Sequence, residues 1–422
     1  MPMGMAAIGG GLRARYSRLV YQTTILYSGW RMNDSWGRFM DPANFAASSM
    51  GIVMPAVPGG YAFVPKTLPR QIDVGSLAAL LSEASMALGE LKGIGRFLPN
   101  PYLLIRPLQR KEAVASSNIE GTFTNLSDLF LLEAGADEKD RPPDTREVMN
   151  YVHALEHAVE RLAELPVCLR LMREIHEILL RGVRTNRGAN VTPGEFKTTQ
   201  NWIGGATIQS ARFVPPPPLE TIECLRDFEN FIHDEEALKL PSLIYSAMIH
   251  YQFETIHPFP DGNGRVGRLL IPLILCEKGI LPQPLLYMSP FFERNRDEYI
   301  DNLFSVSSTG NWNRWFSYFL RGVIEQCHDT VTRIKDLQDL HSQYRQKLQQ
   351  ARASALLGRL ADELIGQPFI TVPMIQRRLG VTYRGAQLNV ERLIEEGMLR
   401  EMGIGERPRW YVAYQVFEII YR

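Results

Sequence analysis

Residues 257–268 read His257-Pro258-Phe259-Pro260-Asp261-Gly262-Asn263-Gly264-Arg265-Val266-Gly267-Arg268, and the apolar run Leu269 to Leu275 follows at once. The run predicts a buried helix, so both arginines stand at its start. Gly262 and Gly264 let backbone N–H groups turn toward an anion, and a helix N-terminus adds partial positive charge. Arg265 and Arg268 lie three apart, hence on one helical face, where both can fork onto phosphate oxygens. Asp261 is a hard oxygen ligand suited to a Mg²⁺ that keeps most of its waters and bridges phosphates. His257 ionises near neutrality when unperturbed, which suits a general base. Taken singly, the pieces are ordinary: a core histidine, a Gly/Asn turn, a helix start. Together they describe a polyphosphate and metal site with a proton acceptor at its edge.

The order His-Pro-Phe-x-Asp-Gly-Asn-Gly-Arg-x-x-Arg resembles the signature of Fic-domain proteins, with every signature position filled. The resemblance implies a mainly α fold: a Fic-type helical bundle with a β-hairpin flap. It also implies transfer of AMP from ATP, with Mg²⁺, to a Ser, Thr or Tyr hydroxyl of a target protein, the chain itself included. Under this resemblance His257 deprotonates the acceptor hydroxyl and Asp261 holds Mg²⁺ between the α- and β-phosphates. Gly262, Asn263 and Gly264 cradle phosphate oxygens, Arg265 neutralises the β-phosphate and Arg268 meets the γ-phosphate. Phe259, buried beneath the loop, fixes where His257 points. Such a transfer is mostly positioning and charge neutralisation.

Three further stretches carry the resemblance. Ser116-Ser117-Asn118-Ile119-Glu120-Gly121 resembles the family's inhibitory motif, and Ser116 and Glu120 share a face if the stretch is helical. Alone, Ser117 and Glu120 also fit a capping box. Beside the signature, the resemblance implies that Glu120 pairs with Arg268 and fills the γ-phosphate position. Pro193 to Gly205 resembles the lead into the flap, and Val214 with Pro215 to Pro218 closes it, since proline cannot extend a central ladder. The flap edge would align a target segment by main-chain pairing, with Ile203 and Gly204 bordering the nucleotide. Asn295-Arg296-Asp297-Glu298-Tyr299 resembles the segment that reaches the adenine, where Tyr299 can stack on a purine. Relatives often have Tyr-Tyr where this chain has Tyr299-Ile300.

Other motifs fail. His176-Glu177-Ile178-Leu179-Leu180 begins like a zinc-protease helix, but Leu180 stands where the second histidine belongs. It reads instead as an amphipathic helix of Leu171, Ile175, Ile178 and Leu179. No Gly-x-x-x-x-Gly-Lys-Ser/Thr stretch exists. Cys168, Cys224, Cys276 and Cys327 are too widely spaced for a zinc module and fit a reducing, cytoplasmic setting. Lys+Arg 46 balances Asp+Glu 46, which argues against whole-molecule attraction to nucleic acid or anionic membrane. The longest apolar run is too short to span a bilayer.

Residues 1–55 lack helical period and read as disordered, or as preceding the true start near Met40 or Met50. Residues 56–142 hold an extended arm and the inhibitory helix, with helical period from Val74. Residues 143–325 form the catalytic body, and 326–352 a helical linker with a seam at Ile334, Leu337, Tyr344 and Leu348. Residues 353–422 resemble a winged helix-turn-helix, with Thr382 to Glu395 in the recognition position. Arg377, Arg378, Arg384, Arg392, Arg407 and Arg409 suit phosphates, but Glu391, Glu395 and Glu396 oppose them, so DNA and protein docking both stay open. The leading reading is an autoinhibited adenylyltransferase, with a homodimer in character. The alternatives are a DNA-binding regulator with a vestigial Fic body, or a bifunctional enzyme that also removes AMP, Glu120 positioning a water.

Overall fold

The computed structural model describes residues 40–97, 101–183, 191–403 and 408–422. A 3-10 turn (Pro42–Phe45) leads into an antiparallel pair, β1 (Gly51–Pro55) and β2 (Tyr61–Pro65), with Gly51 opposite Pro65. The expectation of disorder over 1–55 therefore fails for 40–55, while 1–39 lie outside the described residues. Three apolar anchors set among polar and small residues explain the difference. Met40, Phe45 and Met50 are buried, and the Phe45 ring lies 5.2 Å from Phe63 and 5.4 Å from Phe304.

Eleven helices follow: α1 (Ala78–Phe97), α2 (Pro101–Ile119), α3 (Leu126–Glu133), α4 (Thr145–Arg161), α5 (Leu169–Leu179), α6 (Pro218–Ile232), α7 (Ser242–Ile256), α8 (Asn263–Glu277), α9 (Ser289–Arg294), α10 (Arg296–Thr309) and α11 (Trp312–Gln350). Helices α7 and α8 are buried on nearly every side and pack on each other at the centre of the body, as helices without an exposed polar stripe must. α1 runs along α11. The boundary drawn at 325 falls inside α11, which is one continuous helix of 39 residues. Its seam of Ile334, Leu337, Tyr344 and Leu348 is buried as expected.

The hairpin expected over 193–218 narrows to a single antiparallel bridge, Ile203 with Phe213. Gly204 has φ of 74°, and Gly205 lies hard against the Ser210 backbone, where a 3-10 turn (Ile208–Ser210) closes the loop. Pro215 to Pro218 then offer no N–H to lengthen the pairing.

The C-terminal module runs α12 (Ala355–Gly366), β3 (Phe369–Thr371), α13 (Val372–Leu379), α14 (Tyr383–Glu395), β4 (Arg400–Glu401), β5 (Trp410–Val412) and α15 (Tyr414–Tyr421). Its sheet is antiparallel in the order β3-β5-β4. Thr371 and Thr382 cap α13 and α14 through their hydroxyls. The loop 404–407, with Arg407, lies outside the described residues. The module packs on α2: Gly366 lies against Leu103, and Lys111 Nζ donates to the Arg422 carbonyl at 3.3 Å. α2 is thus held between the body and the module. Among the described residues, no helix is long and apolar enough to cross a membrane.

Candidate active site

Helix α7 ends at Ile256 and is capped by His257, whose φ of 48° and ψ of 59° are left-handed, an uncommon conformation for a residue with a Cβ. The turn is held from outside. Lys197 Nζ donates to Ile256 O at 3.2 Å and Lys197 N to Pro258 O at 2.8 Å. Asn201 Nδ2 donates to His257 O at 3.0 Å and Phe259 O at 2.9 Å. Asn263 closes the loop from inside, accepting from Phe259 N at 2.8 Å and donating to Phe259 O at 2.7 Å. Phe259 is fully buried, as expected, and its ring stacks on His176 at 3.9 Å and 8°. His176 Nδ1 accepts from Gly194 N at 2.8 Å, so Nε2 carries the proton and donates to Asp261 O at 3.0 Å. Burial pushes the pKa of His176 down to about 4, consistent with one donor and one acceptor nitrogen.

Gly262, with φ of 78°, precedes the first turn of α8. Arg268 is buried there. Its Nε donates to Ser116 Oγ at 2.9 Å, and its Nη2 to Ser116 O at 2.8 Å and to Glu120 Oε1 at 2.7 Å. α2 ends at Ile119, and a turn bond from Glu120 N to Ser117 O at 3.0 Å keeps Glu120 on the side of Ser116. The Glu120 carboxylate lies so close over Gly264 that a methyl group there would overlap it. Burial raises the pKa of this carboxyl, but the charge and hydrogen bond of Arg268 outweigh it and the net shift is downward. Arg265 is also buried and forms an ion pair with Glu147 of α4. Asp261 Oδ1 accepts from Gly262 N at 2.7 Å and lies 3.9 Å from Arg265 Nη2.

His257 Nδ1 lies 3.2 Å from the Glu254 carbonyl. With Nδ1–H donating there, the Nε2 lone pair is the proton acceptor. Burial, then the nearby Lys197 charge, push the pKa of His257 down to about 4. Burial pushes the Glu254 carboxyl up to about 8. One pocket joins these groups: Glu120, Gly264, Arg268 and His257 line it, with Arg212, Arg296 and the apolar side chains Ile203, Phe213, Ile300, Leu303 and Phe304.

Tyr299 also lines the pocket, but its ring stacks on Phe292 at 4.4 Å and its hydroxyl lies 2.8 Å from His250 Nε2. The Asn295 amide donates to Phe291 O, and Asn295 is not part of the pocket wall. Gly204 adjoins Arg212 beside the bridge. Sequence reasoning missed Glu147, Glu254 and the support given by His176, Lys197 and Asn201. Lys197 and Asn201 stand in the flap stretch already singled out; nothing in the local sequence marks Glu147 or Glu254. Among the described residues, no cluster of three or more His, Cys, Asp or Glu side chains could hold a metal alone. Asp261 fits an ion whose other ligands are phosphate oxygens and water.

Residues 78–160 match the Fic/DOC family N-terminal domain and residues 166–275 the Fic/DOC family domain. A probable protein adenylyltransferase of Aquifex aeolicus is 32% identical over 202 residues, covering 46% of this chain and 54% of that protein. A protein adenylyltransferase of Caenorhabditis elegans is 37% identical over 92 residues, covering 22% of this chain and 17% of that protein. The chain thus spans about half the length of the Aquifex relative, and less of the other. The crystal structure of a Fic family protein from Desulfovibrio desulfuricans G20 shares the fold with a TM-score of 0.52 at 18% identity, covering 82% of this chain and 98% of that one. Residues 78–160 and 166–275 of this chain thus carry both domains of the Fic/DOC family.

Proposed function

We propose that the chain is a protein adenylyltransferase, moving AMP from ATP to a Ser, Thr or Tyr hydroxyl of a target protein and of itself, and that Glu120 holds it inhibited. The observation that carries this is one pocket whose wall includes His257, Gly264 in the first turn of α8 and the Glu120–Arg268 pair. In the transfer, the acceptor O–H proton passes to His257 Nε2 and the oxygen bonds to the α-phosphorus. The bond from that phosphorus to the bridging oxygen breaks, and pyrophosphate leaves. The Gly262–Gly264 backbone and Arg265 take up phosphate charge, and the apolar side chains of the pocket receive the base. Asp261 would hold Mg²⁺, which when bound neutralises phosphate charge. The relatives named as protein adenylyltransferases support this reading. A vestigial body is disfavoured, since His257, Gly264 and Arg268 line one pocket.

Inhibition follows from occupancy. Glu120 presents a carboxylate to Arg268 where a γ-phosphate would otherwise be met, over the first turn of α8. The test is intact-protein mass after incubating Glu120→Gly protein with ATP and Mg²⁺, with the Glu120→Gly/His257→Ala protein as control. A gain matching AMP, absent from the control, is the expected result. A gain matching phosphate, or none with a supplied protein hydroxyl present, would overturn it.

A further inference from the structure

We propose that Lys197 and Asn201 are positioning residues of the transfer reaction, holding His257 in its left-handed turn from the segment that leads into the flap. The proposal rests on the adenylyltransferase reading for its kinetic consequence, and on geometry alone for the hold itself.

Four consecutive carbonyls of the catalytic loop, Ile256, His257, Pro258 and Phe259, each accept a hydrogen bond from one of these two residues. Only Phe259 O has a second donor in the loop itself, Asn263 Nδ2. A chain leaving a helix through a left-handed residue has no ladder to satisfy such carbonyls, and buried main-chain oxygens need partners. Lys197 is 4% exposed, and its Nζ meets two neutral oxygens, Ile256 O and Asn201 Oδ1 at 2.8 Å. Burying an ammonium group among neutral acceptors is costly; here burial pushes its pKa down to about 7. The cost is intelligible if the group's task is to hold the loop. Lys197 also ties itself to Asn201, so the two act as one clamp. The flap bridge at Ile203 begins two residues after Asn201, so a target segment seated on the flap and the base that receives its proton share one short stretch of chain.

Lys197→Met keeps the apolar stem and removes the Nζ donors, leaving Ile256 O and Asn201 Oδ1 without them. Asn201→Ala frees His257 O. Both are made in the Glu120→Gly background, with thermal melts to confirm folding; if Lys197→Met does not fold, Asn201→Ala carries the test. The first readout is the ¹³C signal of labelled His257, identified by its loss in His257→Ala. It should split or move, with a titration midpoint rising toward that of an ordinary imidazole. The second readout is self-labelling by ATP, which should slow by about tenfold to a hundredfold, as expected of a misplaced base. ATP affinity should change less than about threefold, the KM-against-kcat split of a group that touches no substrate. An unchanged His257 signal in a folded variant would overturn the proposal, as would a loss of ATP affinity as large as the loss of rate. If the parent does not label itself while the His257 signal moves, the hold stands and the adenylyltransferase reading is what fails.

Discussion

Replacing Glu120 by glycine removes the only carboxylate hydrogen-bonded to Arg268 among the described residues, and the structure sets the size of the effect. Arg268 is about 1% exposed in its side chain and Glu120 about 29%. A hydrogen bond between charged groups contributes about 1.5–3 kcal/mol, and the half-open side of Glu120 places this one toward the lower end. Under the proposed inhibition, an intramolecular anion of that strength would compete with a γ-phosphate for the same guanidinium. Its removal should raise kcat/KM for AMP transfer by roughly tenfold to a hundredfold, at about 1.4 kcal/mol per tenfold. Arg268 keeps both oxygens of Ser116, so stability should fall by only about 1–2 kcal/mol. The assay is the initial rate of protein labelling by ATP carrying a labelled α-phosphate, with a urea melt on the same preparation. Glu120→Gln, which keeps a neutral acceptor over Gly264, should fall between. A lowered melt with an unchanged labelling rate would refute the reasoning, because the pair would then be broken without consequence for ATP.

His257→Ala should abolish labelling while ATP affinity, measured by calorimetry, stays within about threefold, since binding rests on other groups; a lost affinity would assign the histidine to structure. With the His257 pKa pushed down to about 4, the base is neutral at every pH above about 5. The acid limb of kcat/KM in Glu120→Gly protein should therefore lie near pH 4–5, and a limb near 6.5 would contradict the assigned burial. His176 and His250, held near about 4 and about 3 by burial, bind protons in the unfolded chain before they do so in the folded one. Stability is then lost as pH falls from about 6.5 toward 4, by on the order of a few kcal/mol; equal urea midpoints at pH 7 and pH 5 would count against it. Asp261→Asn should remove most of the Mg²⁺ dependence of ATP binding, and an unaltered dependence would place the ion elsewhere.

The signature was legible because its parts are contiguous. Gly262 to Arg268 form the end of a loop and the first turns of one helix, so spacing alone puts both arginines together. The pairing of Glu120 with Arg268 was reachable only through resemblance, because 148 residues separate them. Glu147 was out of reach: it is one of three glutamates on an amphipathic helix, and only the packing of α4 brings it to Arg265. His176 stands on a helix whose apolar face is Leu171, Ile175, Ile178 and Leu179; its own role depends on a ring stacked on Phe259 and a loop carbonyl far along the chain. The order in residues 40–55 was hidden for a similar reason, since Phe45 has no local period and finds its partners at Phe63, Phe213 and Phe304.

The placing of α2 bears on how the proposed inhibition could be lifted. Ser116 is fully buried and gives Arg268 two oxygens. Withdrawing the helix would therefore strand a buried guanidinium, a loss of about 3–5 kcal/mol. The C-terminal module also grips α2 through Leu103 and Lys111. Glu120 is placed differently. It follows the last helical residue, Ile119, and precedes Gly121, whose φ of 80° is open to a backbone turn. A rotation confined to residues 120 and 121 would remove the carboxylate from Gly264 while Ser116 stays in place. Under the proposed inhibition, the less costly route to an active form would thus be a local turn at the end of α2, with the helix left docked as part of the wall that holds Arg268.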